Sequence, residues 1–190
     1  MSEVATLRQK GKGSMMTPQV FDRVNGEWED LPDHDFARGY HSVAVLLRDG
    51  SVWVAGDDNP ATTNPPDPHP GRLLEIYRPW YFDEDRPEIT SPTGTPPLID
   101  REDPFNVTYS LAQGRDFGYV ALIAMGSVTH SVNFSQRYVI LESTPHQTLP
   151  DVEVVDPPPA AFAPPGPYML VVVDDLGVPS VAEFIYLDFE

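Results

Sequence analysis

From Asp83 onward the chain carries short runs of β-formers, each closed by proline, glycine or asparagine, with a turn signal every ten residues or so. Helical periodicity is almost absent. These two observations predict an all-β fold, an antiparallel sandwich of immunoglobulin-like type. A third concerns the text ahead of it: Arg38 to Pro60, RGYHSVAVLLRDGSVWVAGDDNP, reads as strand, turn and strand.

In chain order, residues 1–16 are polar, with glycine at 11 and 13 and no periodicity, and are expected to form a mobile tail. From Thr17, PQVFDRVNGEW reads as a short strand, an Asn25-Gly26 turn and a tryptophan that begins the next strand. This is the punctuation of a kelch-type propeller repeat. Acidic residues and a proline over Asp30 to Asp35 suit a surface loop. In the hairpin that follows, Val43, Val45 and Leu47 alternate with Ser42, Ala44 and Leu46. Asp49-Gly50 is then read as a two-residue turn, and Val52 and Val54 resume beside Trp53. Asp57 to Gly71 holds five prolines and is expected to be a loop. Leu73, Leu74, Ile76 and Tyr77 make a third strand, ending at Arg78-Pro79. Residues 17–82 thus amount to a partial propeller blade. Blades bury their faces against one another, so a lone blade needs cover from the next domain, from self-association or from a partner.

Residues 83–190 form the sandwich. Its expected strands are Glu88 to Thr90, Phe105 to Tyr109, Tyr119 to Ile123, Tyr138 to Leu141, Val152 to Val155, Tyr168 to Val173 and Ala182 to Leu187. Tyr168 to Val173 is nearly continuously apolar and would be a central strand. The 22 prolines fall mostly between strands and at edges, where a missing amide donor costs little.

The formal net charge is −17, so nucleic acid and anionic membrane surfaces are not expected partners. No apolar run approaches the roughly 18–20 residues of a membrane-spanning helix, and the expectation is a soluble protein. The sequence contains no cysteine, which removes disulfides and thiolate metal sites. MSEVATLRQKGKGSMM lacks the apolar segment of a secretory signal, so a cytoplasmic location is the default expectation. No nucleophile elbow, phosphate-cradling glycine loop or HExxH helix is present. The pairs Asp57-Asp58 and Asp174-Asp175 read as turn residues or a solvated face. Trp53, Trp80, Tyr81 and Phe82 could form a sugar-stacking platform or pack between domains.

The hairpin at Arg38 to Pro60, GSVTHSVNFSQR at Gly126 to Arg137 and APPGPYMLVVVDDLGVPSVAEF at Ala163 to Phe184 occur in an order that resembles a known family. From about Thr17 to its end the chain looks like the C-terminal part of the galactose oxidase and glyoxal oxidase family of copper radical oxidases. The resemblance sharpens the sandwich to the early-set type. It implies copper as cofactor, with Tyr40 as the axial ligand and His41 and His130 as equatorial ligands, a donor set that suits Cu(II) in a tetragonal site. His34, His69 and His146 match no ligand position. The family is typically secreted, which opposes the cytoplasmic default.

The family's enzymes take two electrons from an alcohol or aldehyde with O2, one onto copper and one onto a tyrosine cross-linked to a cysteine. Without cysteine that cross-link cannot form within these residues, and the propeller segments bearing the cross-linked tyrosine have no counterpart here. The expectation is a module that keeps possible copper ligands and is not catalytic as this chain alone, or is one half of a split oxidase with a propeller-bearing partner chain. The alternative is a metal-free β-sandwich module that binds carbohydrate or protein.

Overall fold

The computed structural model describes residues 3–4, 16–36, 38, 41–56, 74–130 and 132–188. The chain divides into two compact units: residues 1–47, 51–77 and 126–134 form the first, and residues 48–50, 78–125 and 135–190 the second.

In the first unit, β1 (Glu3–Val4), β2 (Gln19–Asp22) and β3 (Glu27–Asp30) form an antiparallel sheet in that order. The segment expected to be a mobile tail therefore contributes a strand at Glu3–Val4. The edge of β2 offers unpaired backbone groups, and pairing there satisfies them. The Met16 carbonyl also accepts a bond from the His34 amide at 2.7 Å. The β2–β3 connection is longer than an Asn-Gly turn. Asp22 pairs with Glu27, leaving a four-residue loop, and the Asp22 carboxylate accepts from the Val24 amide at 2.8 Å and from Asn25 Nδ2 at 2.6 Å. Gly26 closes the loop with φ of 71°.

β4 (Val43–Leu46), β5 (Val52–Ala55) and β6 (Glu75–Tyr77) make a second antiparallel sheet. Val52 and Val54 are buried and Trp53 between them faces outward, the period-2 pattern of a half-buried strand. The hairpin turn differs from the expected two-residue form. Leu47 donates to the Ser51 carbonyl at 2.8 Å, so the loop is Arg48-Asp49-Gly50. A two-residue primed turn through Asp49-Gly50 needs positive φ at its central positions; Gly50 has φ of 85°, whereas Asp49 is not among the positive-φ residues. The proline-rich stretch 57–71 lies outside the described residues. The unit also contains a small hairpin, β11 (Val128–Thr129) with β12 (Val132–Asn133).

The second unit is a sandwich. One sheet has the order β13 (Tyr138–Ile140), β10 (Phe117–Ala124), β16 (Gly166–Asp174), β17 (Glu183–Leu187) and β8 (Leu98–Ile99), with β8 parallel to β17. The other runs β14 (Ser143–Pro145), β15 (Val152–Val155), β9 (Phe105–Ser110) and β7 (Glu88–Ser91). One apolar cluster draws on both sheets: Ile89, Val107 and Val155 from one, Val120, Leu122, Leu170, Val172 and Ile185 from the other. Residues 168–174 of β16 are all buried, as a central strand requires.

Arg86 and Tyr81 tie loops of this unit together. Arg86 donates to the carbonyls of Pro179, Asp49 and Ser180 at 2.7 to 2.8 Å and lies over the rings of Tyr81 and Phe82. Tyr81 is buried in a 3-10 turn over Trp80–Asp83, and its hydroxyl donates to the Gly50 carbonyl. Trp80 beside it is 55% exposed. The Asp174 carboxylate accepts from the amides of Leu176 and Val178, which makes it a turn residue. No helix among the described residues is long and apolar enough to cross a membrane.

Candidate metal centre

His41 precedes β4 with φ of 65°, a left-handed conformation uncommon outside glycine. The neighbouring chain explains how it is held there. Gly56, at the end of β5 with φ of 90°, lies so close that an added Cβ would stand 2.5 Å from the His41 carbonyl oxygen and 2.9 Å from Ser42 Cα. Only a residue without a side chain permits that approach.

Gly56 is in turn fixed by Arg38, which is 2% exposed. Arg38 Nη1 donates to the Gly56 carbonyl at 3.0 Å, while Nη2 and Nε reach the Glu75 carboxylate on β6 at 2.6 and 3.1 Å. The other Glu75 oxygen accepts from the Asp35 amide at 2.7 Å. Burial alone would raise the Glu75 carboxyl, but these bonds and the Arg38 charge hold it below its ordinary value.

His130 stands at the turn of the β11–β12 hairpin. Thr129 pairs with Val132, and His130, directly after Thr129, takes φ of 50°. Asparagine or glycine would adopt that left-handed backbone at lower cost than histidine. Asn133 Oδ1 accepts from the Ser127 amide at 3.0 Å, tying the hairpin at its base. Backbone strain of about 1–3 kcal/mol at a chemically useful residue is a pointer to function. Among the described residues only Asp151 joins the two histidines as a non-glycine with positive φ.

The two imidazoles meet within the first unit. His41 Nε2 and His130 Nε2 are 2.8 Å apart and the rings are nearly perpendicular, at 80°. Two nitrogen donors at right angles, each about 2.0–2.1 Å from one ion, would be about 2.9 Å apart, so the separation fits a shared metal. Imidazole nitrogens are also the borderline donors that Cu(II) favours. The distance equally suits one N–H bridging the nitrogens when no ion is held. On the far side of its ring, His130 Nδ1 lies 2.8 Å from Thr129 Oγ1.

Tyr40 lies outside the described residues. Among those described, no group of three or more His, Cys, Asp or Glu side chains could hold a metal, so the site there is a two-histidine pair. His69 also lies outside them. His146 Nδ1 accepts from the amides of Thr148 and Leu149, which makes it a turn residue with its proton on Nε2. His34 is half-buried, with Nδ1 3.6 Å from Glu75 Oε2. Sequence reasoning singled out neither Gly56 nor Thr129: a glycine after a strand reads as a turn, and a threonine in VTHSV reads as a strand residue.

A family model for the galactose oxidase-like early set domain matches residues 86–187. An aldehyde oxidase of Arabidopsis thaliana is 31% identical over 172 residues, covering 84% of this chain and 28% of that protein. A galactose oxidase of Gibberella zeae is 28% identical over 177 residues, covering 90% of this chain and 24% of the enzyme. Among solved structures, a fungal alcohol oxidase in complex with copper superposes with a TM-score of 0.71 at 26% identity, covering 92% of this chain and 36% of that one. The chain therefore spans about a quarter of the length of these curated relatives. The matched residues 86–187 take in the sandwich from β7 to β17 and exceed half of the chain, so the chain belongs to the galactose oxidase-like early set domain family.

Proposed function

We propose that this chain is a galactose oxidase-like module that holds a copper ion between His41 and His130, with Tyr40 as a third ligand, and that it does not oxidise substrate by itself. The observation that carries the reading is the convergence of the two Nε2 atoms at 2.8 Å from left-handed backbone positions. The relative solved in complex with copper and the relatives named aldehyde oxidase and galactose oxidase support the choice of metal and of reaction class. Bound copper(II) would supply a one-electron acceptor at this pair.

The role of the chain's own residues is to present the donors. Arg38, Glu75 and Gly56 hold the His41 backbone, and the β11–β12 turn holds His130. No cysteine exists within these 190 residues, so a thioether-linked tyrosine must come from outside them. A propeller-bearing partner chain is the proposed source. Residues 17–82 are the matching fragment, a partial kelch-type blade whose outward Trp53 and Ile76 would be covered by that partner or by self-association.

Cu(II) titration followed by electron paramagnetic resonance tests this. The protein is expected to give a tetragonal nitrogen-ligated signal, lost in His41→Ala and in His130→Ala. The same spectrum in the double variant would exclude the pair as ligands. Alcohol or aldehyde oxidation is expected to be absent from the chain alone; turnover by the purified chain would overturn the inactive half of the reading.

A further inference from the structure

We infer that Thr129 is a positioning residue that fixes His130 as the tautomer with its proton on Nδ1, so that Nε2 carries the lone pair offered to a metal. The inference rests on the copper reading of the site. A neutral imidazole has one N–H and one lone pair, and which nitrogen holds which is set by the partner of the other. His130 Nδ1 has the Thr129 hydroxyl at 2.8 Å, and Nε2 has His41 Nε2 at the same distance.

Two arrangements satisfy both contacts. If the threonine hydroxyl donates, His130 carries its proton on Nε2 and has nothing to give an ion there. If Nδ1–H donates to Oγ1, His130 Nε2 keeps its lone pair and accepts from His41 Nε2–H in the metal-free protein. Metal-bound histidines characteristically donate their second ring N–H to an oxygen acceptor, which selects the latter. His130 combines φ of 50° with an Nδ1 contact to the hydroxyl of the residue that precedes it. Thr129 itself is exposed and lies outside both the buried set and the apolar cluster, so the fold has no packing need for its hydroxyl.

The test uses the full chain. Long-range proton–nitrogen NMR of the metal-free protein at about pH 8, where an ordinary imidazole is neutral, reads the tautomer directly. His130 is expected to carry its proton on Nδ1 in the wild type, to shift toward the Nε2–H form in Thr129→Val, and to return in Thr129→Ser. Calorimetric Cu(II) titration is expected to give about 10- to 100-fold weaker binding in Thr129→Val, the loss typical of an outer-shell partner, with most of it regained in Thr129→Ser. A wild-type His130 protonated on Nε2 would overturn the inference, as would copper affinity unchanged in Thr129→Val. If the wild type binds no copper, the metal reading of the site falls, and the metal-free spectra still decide what Thr129 does.

Discussion

At His34, burial lowers the imidazole below its ordinary 6.5, opposed by the charges of Glu75 and Asp33 and reinforced by Arg38. Its Nε2 is buried with no hydrogen-bond partner, so a proton there would have no acceptor. Burial would raise the Glu75 carboxyl, but its bonds to Arg38 and to the Asp35 amide, with the Arg38 charge, hold it below 4.5. The signs agree. As pH falls below 6.5 the unfolded chain takes up a proton on His34 that the folded chain resists, and below 4.5 the same happens at Glu75. Urea denaturation across pH is therefore expected to show stability falling from 6.5 downward, with a shallower fall between 6.5 and 4.5 in His34→Gln. Identical slopes in variant and wild type would remove His34 from the account. His41 and His130 stand out as candidates in the sequence because they sit in extended stretches that resemble a known family. Gly56 was not, because its closeness to the His41 carbonyl follows from the pairing of Val43 with Ala55, which no local pattern states.

Strands legible from the sequence were those long enough to alternate or stay apolar. The expected Tyr119 to Ile123 is the middle of β10, which runs from Phe117 to Ala124. β8 and β14 were not read. Two residues carry no periodicity, and Pro145 in β14 argues against a strand except at a sheet edge, which is where β14 lies. Both expected turns proved longer, because side-chain bonds from Asp22 and the backbone at Asp49 settle turn geometry beyond what an Asn-Gly or Asp-Gly pair specifies. Gly118 marks a further point that only register reveals. The pairing of β10 with β16 shifts between Phe117 and Tyr119, and a Cβ on Gly118 would stand 2.5 Å from the Asp174 carbonyl oxygen and 2.8 Å from that of Val173. Gly118→Ala is expected to destabilise by about 1–3 kcal/mol or more, since backbone rather than a side chain must yield. Thermal denaturation checks this, and an unchanged midpoint would show that the bulge has room to relax.

For the molecule as a whole, a net charge of −17 on 190 residues means self-repulsion in the folded state that dilution of the chain by unfolding relieves. Raising salt from about 0.01 M to about 0.15 M shortens the screening length from roughly 30 to roughly 8 Å. Such screening is expected to stabilise the protein by about 1 kcal/mol, or roughly 2–4 °C in Tm for a chain of this size. Scanning calorimetry at the two salt concentrations checks it; a fall in Tm would mean that attractive pairs such as Arg38–Glu75 and Arg48–Glu183 outweigh the repulsion. Strand spacing, turn residues and composition by themselves determined the all-β class, the sandwich after Asp83 and the absence of any thiol chemistry. Those are local or additive properties of the chain. Only the tertiary structure decided that imidazoles 89 positions apart lie within hydrogen-bond distance, and which hydroxyl faces the second nitrogen of His130. The contacts that achieve this depend on strand register and on one glycine's close approach, and neither leaves a trace in the order of residues alone.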